Sequence, residues 1–234
     1  EKRSFSGIVI ALDDLSKINK VKSTFKKYVS KNIVDKLLEN EDSLNLGGTE
    51  SEITILFSDI RGFTSMSEKL SPTEIVKLLN KYFKSMIDVV FKYNGTLDKI
   101  VGDELMVLYG VPLKGEDDTD NAVKTAIKMF QALDKFNEKI IKEGYKPFKI
   151  GIGINKGKAV SGNIGSEQQM NYTVIGDTIN LGARLCSHAK SGEILISSSV
   201  KGVISNDYPF KKIPSIEVKG KSKPIDVWLY THKN

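Results

Sequence analysis

Apolar residues recur along this chain with two periods, and the changes of period outline its elements. Ile53 to Ser58 reads as a short buried strand. Ser71-Pro72-Thr73-Glu74 marks a helix start: Ser71 caps, Pro72 suits the first helical position, and Glu74 completes a capping box. Ile75, Leu78, Leu79, Tyr82, Phe83, Met86, Ile87 and Val90 follow at helical spacing, and Asn94-Gly95 stops that helix. Leu97–Val101 and Leu105–Tyr109 are two strands around the hairpin turn Gly102-Asp103. Asp117 to Lys142 is a second long helix with Ala122, Ala126, Ile127, Phe130 and Phe136 inward, and Phe148 to Ile154 is the next strand. The order β-α-β-β-α-β predicts an α/β (α+β) domain with a ferredoxin-like core.

The segment ahead of this core has a different pattern. Gly7 to Leu12 reads as a buried strand, and Asp13-Asp14-Leu15-Ser16 supplies helix caps. Ile18, Val21, Phe25 and Tyr28 then form a short coiled-coil seam, with the lysines between Lys17 and Lys36 on its solvated face. Asn40 to Glu52 is polar, contains Gly47-Gly48, and reads as a linker. The expected division is an end piece at 1–13, a signalling and dimerisation helix with linker at 14–44, and a catalytic domain at 45–234. The chain starts at Glu1 and not Met, which leads us to expect a fragment of a longer protein.

Topology gives the core a chemical feature. A right-handed crossover makes the first and second strands parallel, with the third between them and antiparallel to both. The exit of the first strand then lies beside the turn joining the second and third. Asp59 sits at that exit and Asp103 in that turn. Two adjacent carboxylates repel and raise each other's pKa, a penalty that a bound cation removes. Acids presented in this way can hold a pair of divalent cations against a triphosphate, which points to nucleotide chemistry.

Composition narrows the alternatives. In 234 residues, 40% hydrophobic and 27% charged, the chain has the makeup of a folded domain, and its apolar runs are too short to span a bilayer. The net charge of +6 is spread along the chain without an Arg-rich run, so nucleic acid is not expected as a partner. The single Cys186 lies on an apolar helical stretch and reads as a packed thiol, which suits a reducing compartment. With only His188 and His232, no Cys/His metal cluster and no Ser-His-Asp set is available.

At Leu56-Phe57-Ser58-Asp59-Ile60-Arg61-Gly62-Phe63-Thr64 and Lys99-Ile100-Val101-Gly102-Asp103-Glu104 the chain resembles the class III nucleotidyl cyclase catalytic domain. Tyr172 to Arg184 and Val218-Lys219-Gly220 match in the same order, and the resemblance runs from Val29 to Tyr230. It implies extra C-terminal strands and a helix after the core. It also implies two divalent cations, Mg²⁺ or Mn²⁺, on Asp59, Asp103 and the backbone carbonyl of Ile60. Lys99 and Thr173 correspond to the pair that reads the purine, Asn180 and Arg184 to the transition-state pair, and Lys219 to a polyphosphate lysine. Lys158 falls where many relatives carry a phosphate-binding arginine, and it keeps the charge without the planar fork.

The implied reaction is attack of the ribose 3′-hydroxyl on the α-phosphorus with release of pyrophosphate, driven by positioning and electrostatics. A lysine can donate to adenine N1 and a threonine hydroxyl can accept from the 6-amino group. Lys99 with Thr173 therefore favours ATP and an adenylate cyclase of bacterial type. A guanylate or mixed-specificity cyclase is one alternative, and a non-catalytic ATP-binding regulatory module is another. The family geometry implies a homodimer with shared sites, Asp59 and Asp103 coming from one subunit and Lys99, Thr173, Asn180, Arg184 and Lys219 from the other. Residues 7–16 resemble the exit of a PAS-type sensor, so an upstream sensor domain is an expected partner in the full-length chain. The expected location is cytoplasmic, including the cytoplasmic domain of a membrane-bound protein, with membrane attachment only through segments outside this chain.

Overall fold

A computed structural model describes residues 47–166, 168–204, 208–218 and 223–232. The proposed sensor end, the coiled-coil helix and Lys219 lie outside the described residues. Eight strands are β1 (Gly47–Ile60), β2 (Thr96–Val101), β3 (Glu104–Tyr109), β4 (Ile150–Ser166), β5 (Gln169–Ile175), β6 (Glu193–Ser197), β7 (Lys211–Ile216) and β8 (Ile225–Thr231). The helices are α1 (Phe63–Ser67), α2 (Pro72–Lys92), α3 (Asp118–Lys142), α4 (Asp177–His188) and α5 (Ser198–Lys201). The sheet order is β2-β3-β1-β4-β6-β8-β7, with β5 paired to β4 outside that path. β3 is antiparallel to both β1 and β2, as the split βαβ reading requires.

Local signals act where expected. Ser71 Oγ accepts from the Glu74 amide at 3.3 Å, while the Glu74 carboxylate accepts from the Ser71 amide at 2.9 Å, closing the capping box of α2. Asn94 takes φ 58° two residues past α2 and turns the chain back toward β2.

β3 and the second half of β1 are buried on both faces. Leu56 and Ile60 of β1, with Leu105, Val107 and Tyr109 of β3, join α2 and α3 in one core. Ile53, Ile55 and Phe57, with Met106 and Leu108, form a second core against Val174 and Cys186. The pleat alternates these sets, so β1 is sandwiched. In the first core the rings of Tyr82, Phe136 and Phe148 meet at centroid distances of 5.3–5.9 Å. Asn137 of α3 closes a two-way amide bond with the Phe148 backbone at 2.8 and 2.9 Å, setting where β4 begins.

Two boundaries differ from the sequence reading. Gly47–Glu52, expected as linker, is the first half of β1, and β4 runs on past Ile154 to Ser166. The two form one antiparallel ladder from Gly47↔Asn163 to Ile60↔Ile150. Each polar half is a strand because the other supplies its hydrogen bonds, which local apolarity cannot report.

α4 lies close on the sheet because β4 has no side chain at Gly153, where a Cβ would strike the Cys186 backbone. Gly153→Ala is therefore expected to lower unfolding stability by about 1–3 kcal/mol in urea titration, since a helix backbone must move to admit the methyl.

Candidate active site

The pleat of β1 decides where its last charged residues go. Ile53, Ile55 and Phe57 face the second core, and Asp59 continues that series. It therefore emerges on the α4 side. Arg61 Nη1 donates to Asp59 Oδ2 at 2.7 Å, and Arg61 Nη2 donates to the Cys186 carbonyl on α4. One guanidinium thus joins the tip of β1 to α4. Cys186 itself is buried, and burial pushes its thiol up to about 12, as expected for a packed cysteine.

Asp103 reaches the same point from the β2–β3 turn, where Gly102 adopts φ 63°. Its carboxyl meets the Asp59 carboxyl and accepts from the backbone N–H groups of Asp103 and Ile60. Burial, then the Asp59 charge, pushes Asp103 up to about 6. Glu104 is also raised, by burial first and then by the two aspartates. The predicted convergence of two carboxylates is thus present, and Ile60 joins it through its amide. The donors are hard oxygens whose mutual repulsion is only partly offset by Arg61. This set fits a hard divalent cation of the Mg²⁺ or Mn²⁺ type.

A second cluster forms at the middle of β2. Lys99 Nζ donates to Thr173 Oγ1 at 3.0 Å, bringing β2 and β5 together. Asp98 lies between them. It pairs with Lys99 at 3.0 Å and accepts from the Thr173 hydroxyl at 3.2 Å.

Asn180 and Arg184 are one turn apart on α4, Asn180 exposed and Arg184 half-buried. The opposite side of that helix carries Gly182, packed on Ile55 and Phe57. The Asn155 amide holds the first turn by donating to the Thr178 carbonyl at 2.9 Å. Lys158 goes elsewhere: it is 76% exposed on β4 and pairs with Glu50 at 2.7 Å. Sequence reasoning did not single out Arg61 or Asp98. Their signal was a charge inside the first motif and one immediately ahead of the second.

A family model described as the adenylate and guanylate cyclase catalytic domain matches residues 48–231. The chain belongs to this family. It is 34% identical over 224 residues to an adenylate cyclase of Anabaena cylindrica, covering 91% of this chain and 44% of that protein. It is 30% identical over 207 residues to adenylate cyclase 1 of Rhizobium meliloti, covering 88% of this chain and 31% of the relative. The chain thus spans less than half the length of these relatives. Among solved structures, the adenylyl cyclase CyaB from P. aeruginosa superposes with a TM-score of 0.77 at 36% identity, covering 81% of this chain and 98% of that one. The guanylyl cyclase Cya2 superposes with a TM-score of 0.75 at 41% identity, covering 78% of this chain and 93% of that one. These matches agree with the class III resemblance and with the mixed α+β core. Among the described residues no helix is long and apolar enough to cross a membrane.

The cyclase domain's acid pair has a measurable cost without metal. A raised carboxyl contributes stability that is complete below its unfolded value of 3.8 and is lost as pH rises through about 6. In EDTA, the melting temperature is expected to fall between about pH 4 and 6 in the wild type. Asp103→Asn should flatten that fall and melt about 2–4 °C higher at pH 7.5 by differential scanning fluorimetry.

Proposed function

We propose that this domain is an adenylate cyclase, converting ATP to 3′,5′-cyclic AMP and pyrophosphate as a homodimer. The observation that carries this reading is the contact of Lys99 with Thr173, which sets a cationic donor beside a hydroxyl acceptor. Adenine presents the complementary pair, an N1 acceptor and a 6-amino donor, whereas guanine presents the reverse.

Asp59, Asp103 and the Ile60 carbonyl would hold the cations, and Lys219 would meet the polyphosphate. Two divalent ions bound there would supply positive charge both to the attacking 3′-oxygen and to the departing pyrophosphate. Asn180 would orient the ribose, and Arg184 would stabilise charge on the five-coordinate α-phosphorus. Neither role needs a histidine base, because placement and electrostatics carry most of such a barrier.

A homodimer suits the surface. Val160 and Ile175 are direct partners across β4 and β5 and both are exposed, as are Ile100 and Val101 beside Lys99. A second copy covering these residues would bring one chain's Lys99, Thr173, Asn180 and Arg184 to the other's acid pair. The likeness to a guanylyl cyclase favours GTP as the second reading.

The purified domain incubated with Mn²⁺ and either nucleotide should form cyclic AMP from ATP in preference to cyclic GMP from GTP. Asp103→Ala and Arg184→Ala should each lower kcat by about 100-fold or more. An equimolar mixture of Asp59→Ala and Arg184→Ala chains should recover about a quarter of wild-type activity, since half the dimers then hold one intact site of two. No recovery would refute shared sites.

A further inference from the structure

We propose that Asp98 is a specificity-positioning residue, which fixes the hydrogen-bond polarity of Thr173 so that its hydroxyl faces the base as an acceptor only. This deepens the adenylate cyclase reading and rests on it.

Asp98 sits on β2 with no exposed side-chain surface, although its neighbour Lys99 is 44% exposed. One carboxylate oxygen, Oδ2, takes both the Lys99 ammonium at 3.0 Å and the Thr173 hydroxyl at 3.2 Å. The other, Oδ1, is buried without a partner. A buried acceptor left unpaired costs stability, so packing alone gives no reason for a carboxylate here. Burial pushes this carboxyl up, while Lys99 and then Thr173 draw it back toward the ionised form.

Proton counting follows from these contacts. A threonine hydroxyl has one proton and two lone pairs. An ammonium only donates, so Lys99 occupies one lone pair of Thr173. An ionised carboxylate only accepts, so the single Thr173 proton points at Asp98. What remains for a ligand is one lone pair. It accepts from an amino group at C6 of a purine and repels a carbonyl oxygen there. A free threonine could rotate and serve either base. Asp98 also holds Lys99, leaving one ammonium proton for the N1 acceptor that adenine has and guanine lacks.

Asp98→Asn keeps the shape and, because the Lys99 ammonium only donates, turns its amide oxygen to Lys99 and Thr173, so the acceptor is preserved. Asp98→Ala removes the acceptor and frees the hydroxyl to rotate. The test is the ratio of kcat/KM for ATP to that for GTP, which does not depend on the fraction of chain that folds. Beside it runs the ratio of ATP to GTP affinities, read by displacement of N-methylanthraniloyl-ATP. Both ratios are expected to fall about tenfold or more in Asp98→Ala and less than about threefold in Asp98→Asn. In a Thr173→Val background, Asp98→Ala should change them less than about twofold. Ratios within about twofold of wild type in Asp98→Ala, or equal losses with both nucleotides, would overturn the proposal. So would an undiminished effect without the Thr173 hydroxyl. A wild type that binds ATP selectively but forms no cyclic nucleotide would refute the cyclase reading alone, and the displacement ratios would still judge Asp98. No displacement by either nucleotide would overturn both.

Discussion

β1 must be buried on both faces, and the rest of the molecule is arranged around that requirement. A strand in the middle of a sheet with helices on one side and a helix and returning hairpin on the other has only its ends free for polar groups. Its alternation sends Leu56 and Ile60 to α2 and α3, and Ile53, Ile55 and Phe57 to α4. Asp59 then has one direction available when the strand leaves the core. Slipping the register by one residue would swap the two core faces and turn Asp59 toward the α2–α3 core that Ile60 fills, so the apolar packing also aims the chemistry.

The second constraint is closeness. α4 carries Asn180 and Arg184, proposed to act on the ribose and the transition state, and it can approach the sheet only where side chains are missing. Gly153 on the sheet and Gly182 on the helix provide that room. Arg61 then spans the shortened gap, bonded to Asp59 on one side and to the Cys186 carbonyl on the other. A shift of α4 would therefore reach the acid pair through this guanidinium. The electrostatics are coupled in the same way: burial and Asp59 raise Asp103, and Arg61 supplies the nearby positive charge on Asp59.

Two polar clusters on one chain divide the work. The acids gather at the tips of β1 and of the β2–β3 turn, and Lys99, Asp98 and Thr173 gather where β5 comes back to β2. The polar clusters border exposed apolar residues, Ile100 and Val101 on β2 and Val160 and Ile175 on the β4–β5 pair. Such surface is costly to leave in water, and it lies beside the Lys99–Thr173 cluster, where we propose that a second copy covers it.

Elements held by local physics were legible in the amino-acid order: the α2 capping box, the Asn94-Gly95 stop, the Gly102 turn and the two helical periods each act over a few residues. The convergence of Asp59 and Asp103 was legible as well, because crossover handedness leaves one place for the inserted strand. Lys99 and Thr173 were reached through family motifs and not through spacing. Only the tertiary structure decided that Gly47–Glu52 is strand, since its hydrogen bonds come from the far half of β4. It alone turned Asp98 and Arg61 from ordinary charges into parts of the two clusters, and sent Lys158 to Glu50. The reason is common to all of these: a side chain's partners across strands depend on register and on how the β4–β5 hairpin returns, neither of which is encoded within a short window of residues.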